Sequence, residues 1–167
     1  RRIERSLQII RLLQSSLIDD REEDELILLS DSVLSIADCL MTYRRRYRYG
    51  IKVPALLELV IYDENNPRSL ANQLTRLEND LSGLPRQSTT GNRTELDRLA
   101  LETATLIRLA DVNRLAGVNE ELDRRDTLEN FLSVAQSRLL TLSDVVTDTY
   151  FRTADQPHQL LSLQGRR

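Results

Sequence analysis

Between Leu26 and Tyr47, apolar and aromatic side chains recur at alternating steps of three and four: Leu26, Leu29, Val33, Ile36, Leu40, Tyr43 and Tyr47. A strand repeats every two residues, whereas this spacing keeps side chains on one face of an α-helix. It predicts a helix of about 25 residues, roughly 38 Å long at 1.5 Å per residue, broken at Gly50. So long a seam has to be covered. Neighbouring helices of an antiparallel bundle do this as well as a second chain in a coiled coil.

The same period recurs on both sides. Ile3, Leu7, Ile10 and Leu17, with Leu13 close to them, mark an amphipathic helix reaching about Leu17. Residues 19–25 carry six carboxylates around Arg21. This run reads as the solvated entrance of the long helix, favoured by the helix's positive N-terminal end, ahead of a metal or cation site. Pro54 suits a first helical turn. The apolar run 55–62 predicts a short buried helix, because no second strand-like run exists to pair with it.

Residues 63–66 form a polar turn, and Asn66-Pro67-Arg68-Ser69 reads as an N-cap followed by proline at the first helical position. Leu70, Leu74, Leu77, Leu81 and Leu84 continue that helix until Gly83 and Pro85 end it. Residues 86–92, rich in Ser, Thr and Gly, predict a mobile loop. Leu96, Leu99, Thr103, Leu106 and Leu109/Ala110 define a further helix, and residues 116–119 a turn. A last long helix runs through Leu128, Leu132, Ala135, Leu139, Leu142, Val146 and Tyr150. The expected fold is all-α, an antiparallel helical bundle of about six helices with no sheet. It occupies residues 1–152, with a flexible tail over 153–167. Tryptophan is absent and there are two phenylalanines, so leucine, isoleucine and valine must build the core.

Composition narrows the classes. With 167 residues, 40% apolar and 29% charged, the chain can bury a core without staples. A net charge of −3 gives no global reason to expect nucleic acid as a partner. Every one of the 23 basic residues except Lys52 is arginine, which a genome bias explains for most of them. One cysteine, Cys39, permits no intrachain disulfide, so a cytoplasmic location is the simplest expectation. No apolar run nears the ~20 residues of a membrane span, and no signal peptide is visible, so no membrane association is expected. The chain opens on Arg1, its only methionine is Met41, and its first helix shows no capping residue. These features predict a piece of a longer polypeptide.

Three clusters carry candidate chemistry. Tyr43-Arg44-Arg45-Arg46-Tyr47-Arg48-Tyr49 places four arginines at the end of the long helix. Complementing the negative helix C-terminus accounts for about two of them. On a helix, Arg44 and Arg48 share a face at i, i+4 and fit a phosphate, a carboxylate or an acidic partner. Base stacking on the tyrosines ranks behind, for want of a basic stripe elsewhere. In the second cluster, Glu4 and Arg5 form a pair worth ~0–1 kcal/mol if exposed, and able to orient other groups only if buried. In the third, Arg68 and Ser69 stand near a helix N-terminus that can bind an anion, although capping by Asn66 needs no ligand. Asp63 and Glu64 alone do not make a cation site.

His158 is the only histidine and sits in the polar tail. Cys39 lies between Ile36 and Leu40 and is expected to be buried. There is no Gly-rich phosphate loop, no CxxC and no HExxH. No metal and no cofactor are therefore expected, and no self-contained active site is found. The candidate ligand- or partner-binding residues are Glu4, Arg5, Arg44, Arg48, Asn66 and Arg68.

Taken together, Arg1-Arg2-Ile3-Glu4-Arg5-Ser6-Leu7, Tyr43-Arg44-Arg45-Arg46-Tyr47 and Asp63-Glu64-Asn65-Asn66-Pro67-Arg68-Ser69-Leu70 resemble the bacterial Alpha-E family, a helical domain named for its ER motif. Tyr150-Phe151-Arg152 and Gln159-Leu160 resemble its closing segment. The resemblance implies an uncharacterised bacterial protein found beside, or fused behind, circularly permuted ATP-grasp proteins of the carboxylate–amine ligase type. It also implies a transglutaminase-like protein nearby and a role in making or modifying peptides. Family members are longer, with an earlier helical half, so this chain corresponds to the C-terminal half of such a domain.

Three functions follow as expectations. The first is a helical accessory or binding module serving an ATP-grasp ligase, holding a carboxylate-bearing peptide on Arg44, Arg48 and Arg68. The second is an enzyme in which Glu4 acts with Glu58 or Asp63 as acid and base, which requires those carboxylates to share a pocket. The third is a purely structural oligomerisation domain whose seams continue between chains. The sequence leaves open whether any reaction is catalysed, and it does not give the oligomeric state.

Overall fold

Apolar residues three and four apart give every long segment one face to bury, and the tertiary structure covers those faces with one another. The computed structural model describes residues 1–84 and 93–151. Its helices are α1 (Arg2–Leu17), α2 (Glu23–Ile36), α3 (Leu40–Arg46), α4 (Val53–Leu57), α5 (Leu70–Ser82), α6 (Glu95–Arg108), α7 (Val112–Ala116) and α8 (Asp126–Tyr150). A π-helical turn, Glu58–Tyr62, continues α4. Among the described residues no strand forms; only isolated bridges join Arg124 to Asp19 and Asn119. The loop expected at 86–92 and the tail expected at 153–167 lie outside the described residues.

The four helices α1, α5, α6 and α8 form a ring in which each packs on two others. Leu13 and Leu17 of α1, Leu70 and Leu74 of α5, Ile107 of α6, and Leu128, Leu132 and Leu139 of α8 are buried between them. The run at 53–62 packs against α2, α5, α6 and α7, and Leu56, Leu57, Leu59, Val60 and Ile61 are fully buried. A helix apolar all round belongs inside, and each of these side chains contributes about 1.5–3 kcal/mol by leaving water. Pro54 occupies the first turn of α4, as its missing N–H favours.

The long helix expected across 26–47 does not form. It breaks into α2 and α3, whose axes turn by 115°. The break is a Schellman closure. The N–H of Asp38 donates to Ser35 O at 3.0 Å, and that of Cys39 donates to Leu34 O at 2.8 Å. Asp38 takes φ 55°, the left-handed conformation such a closure requires and one that glycine more often supplies. The seam is shared between two directions, so Val33 and Tyr43 are buried while Ile36 is 69% exposed. Tyr43 holds the turned segment: its hydroxyl accepts from Lys52 N at 2.9 Å and donates to Gly50 O at 3.4 Å. This split, with the short α7 that the sequence reading left out, brings the described α-helices to eight rather than about six.

The helix entrances are satisfied as their sequences allow. All six carboxylates of 19–25 are exposed, with Glu23, Asp24 and Glu25 in the first turn of α2. Thr94 and Asp97 make a reciprocal capping box on α6. Asn66 is not the cap of α5. That helix starts at Leu70, and Ser69 accepts from Asn72 N at 3.0 Å. Pro67 therefore lies in the preceding turn, outside the helix. At the far end of the ring Arg125, 3% exposed, donates to the carbonyls of Leu17, Asp19 and Ala116 at 3.2–3.3 Å and to Asp20 Oδ1 at 3.0 Å. One guanidinium thus closes the carbonyl ends of α1 and α7 beside the start of α8.

Candidate functional site

The break at 37–39 and the turn at 63–69 come together, and this juxtaposition builds the site. Asn66 is 7% exposed. Its Nδ2 donates to Leu59 O at 2.8 Å and to Cys39 Sγ at 3.3 Å, while its Oδ1 accepts from Arg68 N at 3.1 Å. One amide thus ties the π turn, the helix break and the arginine loop. Burial is the main cause that pushes the Cys39 thiol above its usual pKa, so Cys39 behaves here as a neutral, buried side chain. Ser69 adds a donation from its hydroxyl to Asp63 O at 2.6 Å. Arg108 of α6 reaches Glu64 at 3.0 Å and Glu78 at 2.9 Å, holding the loop against the ring.

With the loop fixed, Arg68 Nη2 donates to Asp38 Oδ2 at 2.6 Å. Its side chain also lines a cavity of about 320 Å³ with Arg5, Gln8 and Gln73, over an apolar wall of Ile9, Leu12, Ile36 and Ala37. Arg5 is half-buried, and among the described residues its guanidinium has neither an ion pair nor a hydrogen bond. Arg5 is thus an unpaired guanidinium in the same cavity as one that Asp38 already holds, over apolar surface, and a free guanidinium fork has the geometry to grip a carboxylate or phosphate bidentately.

The remaining candidates are placed differently. Glu4 points away from the cavity at 78% side-chain exposure. The ER dipeptide is thus split between solvent and cavity. Arg44 is half-satisfied by Asp31 at 3.2 Å. Arg48 lies beyond the end of α3 at Arg46, so the helical face expected to join Arg44 and Arg48 does not exist. Arg48 instead lines a separate cavity of about 430 Å³ with Tyr47 and Tyr49. Glu58 and Asp63 belong to the π turn and the loop after it, and neither they nor Glu4 line the Arg5–Arg68 cavity. Among the described residues no group of three metal-ligating side chains is present.

The Tyr-Arg segment does meet the 63–69 turn, through Arg46 and Asp63 at 2.6 Å. Arg46 sits 5.9 Å from the centre of the Tyr47 ring, and Tyr47 stacks on Tyr43 at 4.8 Å with a 39° tilt. The Tyr47 hydroxyl is buried and makes no hydrogen bond of normal geometry. Burial first, then the Glu58 carboxylate beside it, pushes its pKa up to about 12. This cluster is internally paired and serves to hold the loop. A larger groove of about 580 Å³ between α6, α7 and α8 is mostly apolar and contains none of the candidate residues.

Sequence reasoning missed Asp38, Gln73 and Arg125. Asp38 carried no glycine or proline signal of a break. Gln73 and Arg125 were indistinguishable by sequence from exposed polar residues of a helix.

Comparison with known proteins completes the description. The Alpha-E family model, described as "A predicted alpha-helical domain with a conserved ER motif", matches residues 1–151. Glu4-Arg5 is the one ER dipeptide in the chain. Uncharacterized protein Rv2567 of Mycobacterium tuberculosis and Uncharacterized protein Mb2597 of Mycobacterium bovis are each 32% identical over 149 residues. The match covers 89% of this chain and 16% of each relative, so the chain spans about a sixth of the length of these curated proteins. No solved structure matches.

Proposed function

The chain belongs to the Alpha-E family, and from that premise we propose that it is an accessory binding module which presents a carboxylate-bearing peptide to an ATP-grasp carboxylate–amine ligase. The observation that carries this reading is the presence of Arg5, from the ER dipeptide, and Arg68, from the Asn-Pro-Arg-Ser turn, in the lining of one cavity. Two family-motif arginines far apart in sequence line the same cavity, and among the described residues Arg5 has no ion pair of its own. The length of the mycobacterial relatives, of which the matched segment is 16%, suits a module working within or beside a larger assembly. A transglutaminase-like protein is a second partner on this reading.

In mechanism the module supplies binding only. Arg5 and Arg68 hold a carboxylate, the Asn66 clasp fixes the loop that carries Arg68, and the activating chemistry belongs to the ligase. The test is ligation by a neighbouring ATP-grasp protein of a carboxylate-terminated peptide, in the presence of this chain or of its Arg5→Ala/Arg68→Ala variant. The expected result is a KM for the peptide about tenfold higher with the variant and an unchanged kcat, the signature of lost ground-state binding. Identical kinetics with the wild-type chain, with the folded variant and with neither would refute the proposal.

The oligomerisation reading has one observation in its favour: Leu28, Ile36 and Met41 of the α2–α3 elbow are each about 70% or more exposed. A concentration-independent monomer mass in light scattering rules it out.

A further inference from the structure

The Arg5–Arg68 cavity accommodates any small anion by charge alone, and its other walls narrow the choice. Gln73 is 3% exposed and lines the cavity. Its Nε2 donates to Pro67 O at 2.6 Å. A carbonyl partner fixes which end of the amide is which, so the remaining atom, Oε1, is an acceptor. That Oε1 is buried and has no hydrogen-bond partner. A buried acceptor left unmade is costly and calls for a donor. Opposite it, Ile9, Leu12, Ile36 and Ala37 give an apolar wall. The site therefore offers the free guanidinium of Arg5, that of Arg68 held by Asp38, the buried Gln73 amide in its wall and a patch for hydrocarbon. Inorganic phosphate uses the first of these and leaves the apolar wall bare.

We propose that the cavity binds the carboxy-terminal residue of a peptide whose last side chain is aliphatic. The terminal carboxylate sits between Arg5 and Arg68, the amide N–H of the same residue donates to Gln73 Oε1, and the side chain covers Ile9, Leu12, Ile36 and Ala37. The volume of about 320 Å³ lies at the small end of ligand pockets and suits a single residue. A basic last residue is disfavoured by the two arginines. The helix break at Asp38 is part of the design, since it brings Ile36 and Ala37 onto the wall and anchors Arg68 through Asp38. This inference rests on the anion-binding reading of the same cavity and adds the ligand's identity to it.

The experiment is an NMR titration of the full chain with four probes: N-acetyl-leucine, N-acetyl-leucinamide, N-acetyl-N-methyl-leucine and inorganic phosphate. N-acetyl-leucine is expected to shift backbone resonances of residues 5–12, 36–38 and 66–73 saturably. Replacing its carboxylate by an amide is expected to weaken binding by about tenfold or more, and N-methylation by about tenfold, the loss of one hydrogen bond. Arg5→Ala and Arg68→Ala, checked for folding by circular dichroism, are expected to lose the response. Because N-methylation changes the ligand alone, the role of Gln73 is tested without disturbing the fold. Equal affinity for the N-methylated probe, or phosphate binding tighter than N-acetyl-leucine, overturns the peptide-end assignment and leaves the anion reading standing. No arginine-dependent binding of either N-acetyl-leucine or phosphate overturns both.

Discussion

Replacing Asn66 by aspartate separates two accounts of the same residue. An N-cap accepts a hydrogen bond through its side-chain oxygen, and Asp serves there as well as Asn. In the structure Asn66 is a donor as well: Nδ2 to Leu59 O at 2.8 Å and to Cys39 Sγ at 3.3 Å, with only Oδ1 accepting, from Arg68 N at 3.1 Å. Asn66→Ala removes two good bonds, each worth about 0.5–1.5 kcal/mol net, and leaves the Leu59 carbonyl unpaired in a fully buried residue, a cost of about 1–3 kcal/mol. A loss of about 2–4 kcal/mol follows, or roughly 5–15 °C in Tm for a domain of this size. Asn66→Asp is expected to lose at least as much at pH 7, because a carboxylate oxygen then faces Leu59 O where an N–H stood.

The pH dependence gives a second check. Burial holds the introduced carboxyl above its unfolded value of about 3.9. Between the two pKa values the native state binds more protons than the unfolded state, so stability falls as pH rises, and part of the loss returns as the pH is lowered toward about 4. Urea denaturation followed by circular dichroism measures each variant against wild type, with Ser69→Ala as the true-cap control at about 1–2 kcal/mol. An Asn66→Asp protein within about 0.5 kcal/mol of wild type at pH 7 would refute the clasp and restore the capping role.

Arg125→Ala should destabilise by about 3 kcal/mol, since three carbonyls and Asp20 lose a buried guanidinium. Arg125→Lys should recover little of this, because one ammonium cannot match the planar fork; full recovery by lysine in urea denaturation would count against that geometry. For Tyr47 the folded pKa, about 12, lies above the ordinary tyrosine value of 10.0. The native state keeps a proton that the unfolded state loses above about pH 10, so stability is at its full value below about pH 10 and falls as pH rises toward about 12. Tyr47→Phe should remove that alkaline slope and change stability at pH 7 little, since the buried hydroxyl makes no hydrogen bond of normal geometry. Alkaline denaturation curves of the two proteins that superimpose would show this to be mistaken.

Much of the fold was legible because periodicity is a local property. The leucine steps of α5, the spacing of α8 and the strongly apolar run at 55–62 each report the surface that a helix must bury, whatever its neighbours are. The acidic entrance of α2 and the proline of α4 were legible for the same reason: dipole and backbone chemistry act within one turn. The break at Asp38 was not legible. A 3-4 seam reads identically whether one helix carries it or two helices meet at an angle, and the φ of 55° at Asp38 is held by partners that arrive from elsewhere in the chain.

The candidate site divides along the same line. Sequence singled out Arg5, Asn66 and Arg68 as motif residues and left Glu4, Arg44 and Arg48 as their equals. Only the tertiary structure decided that Arg5 and Arg68 share a cavity, that Arg48 falls beyond the helix, and that Asn66 is a clasp. A short-range pattern fixes which face of an element is apolar. Which polar groups end up opposite one another depends on where the elements cross, and here left-handed Asp38, the buried Asn66 amide and the buried Arg125 guanidinium sit at those crossings.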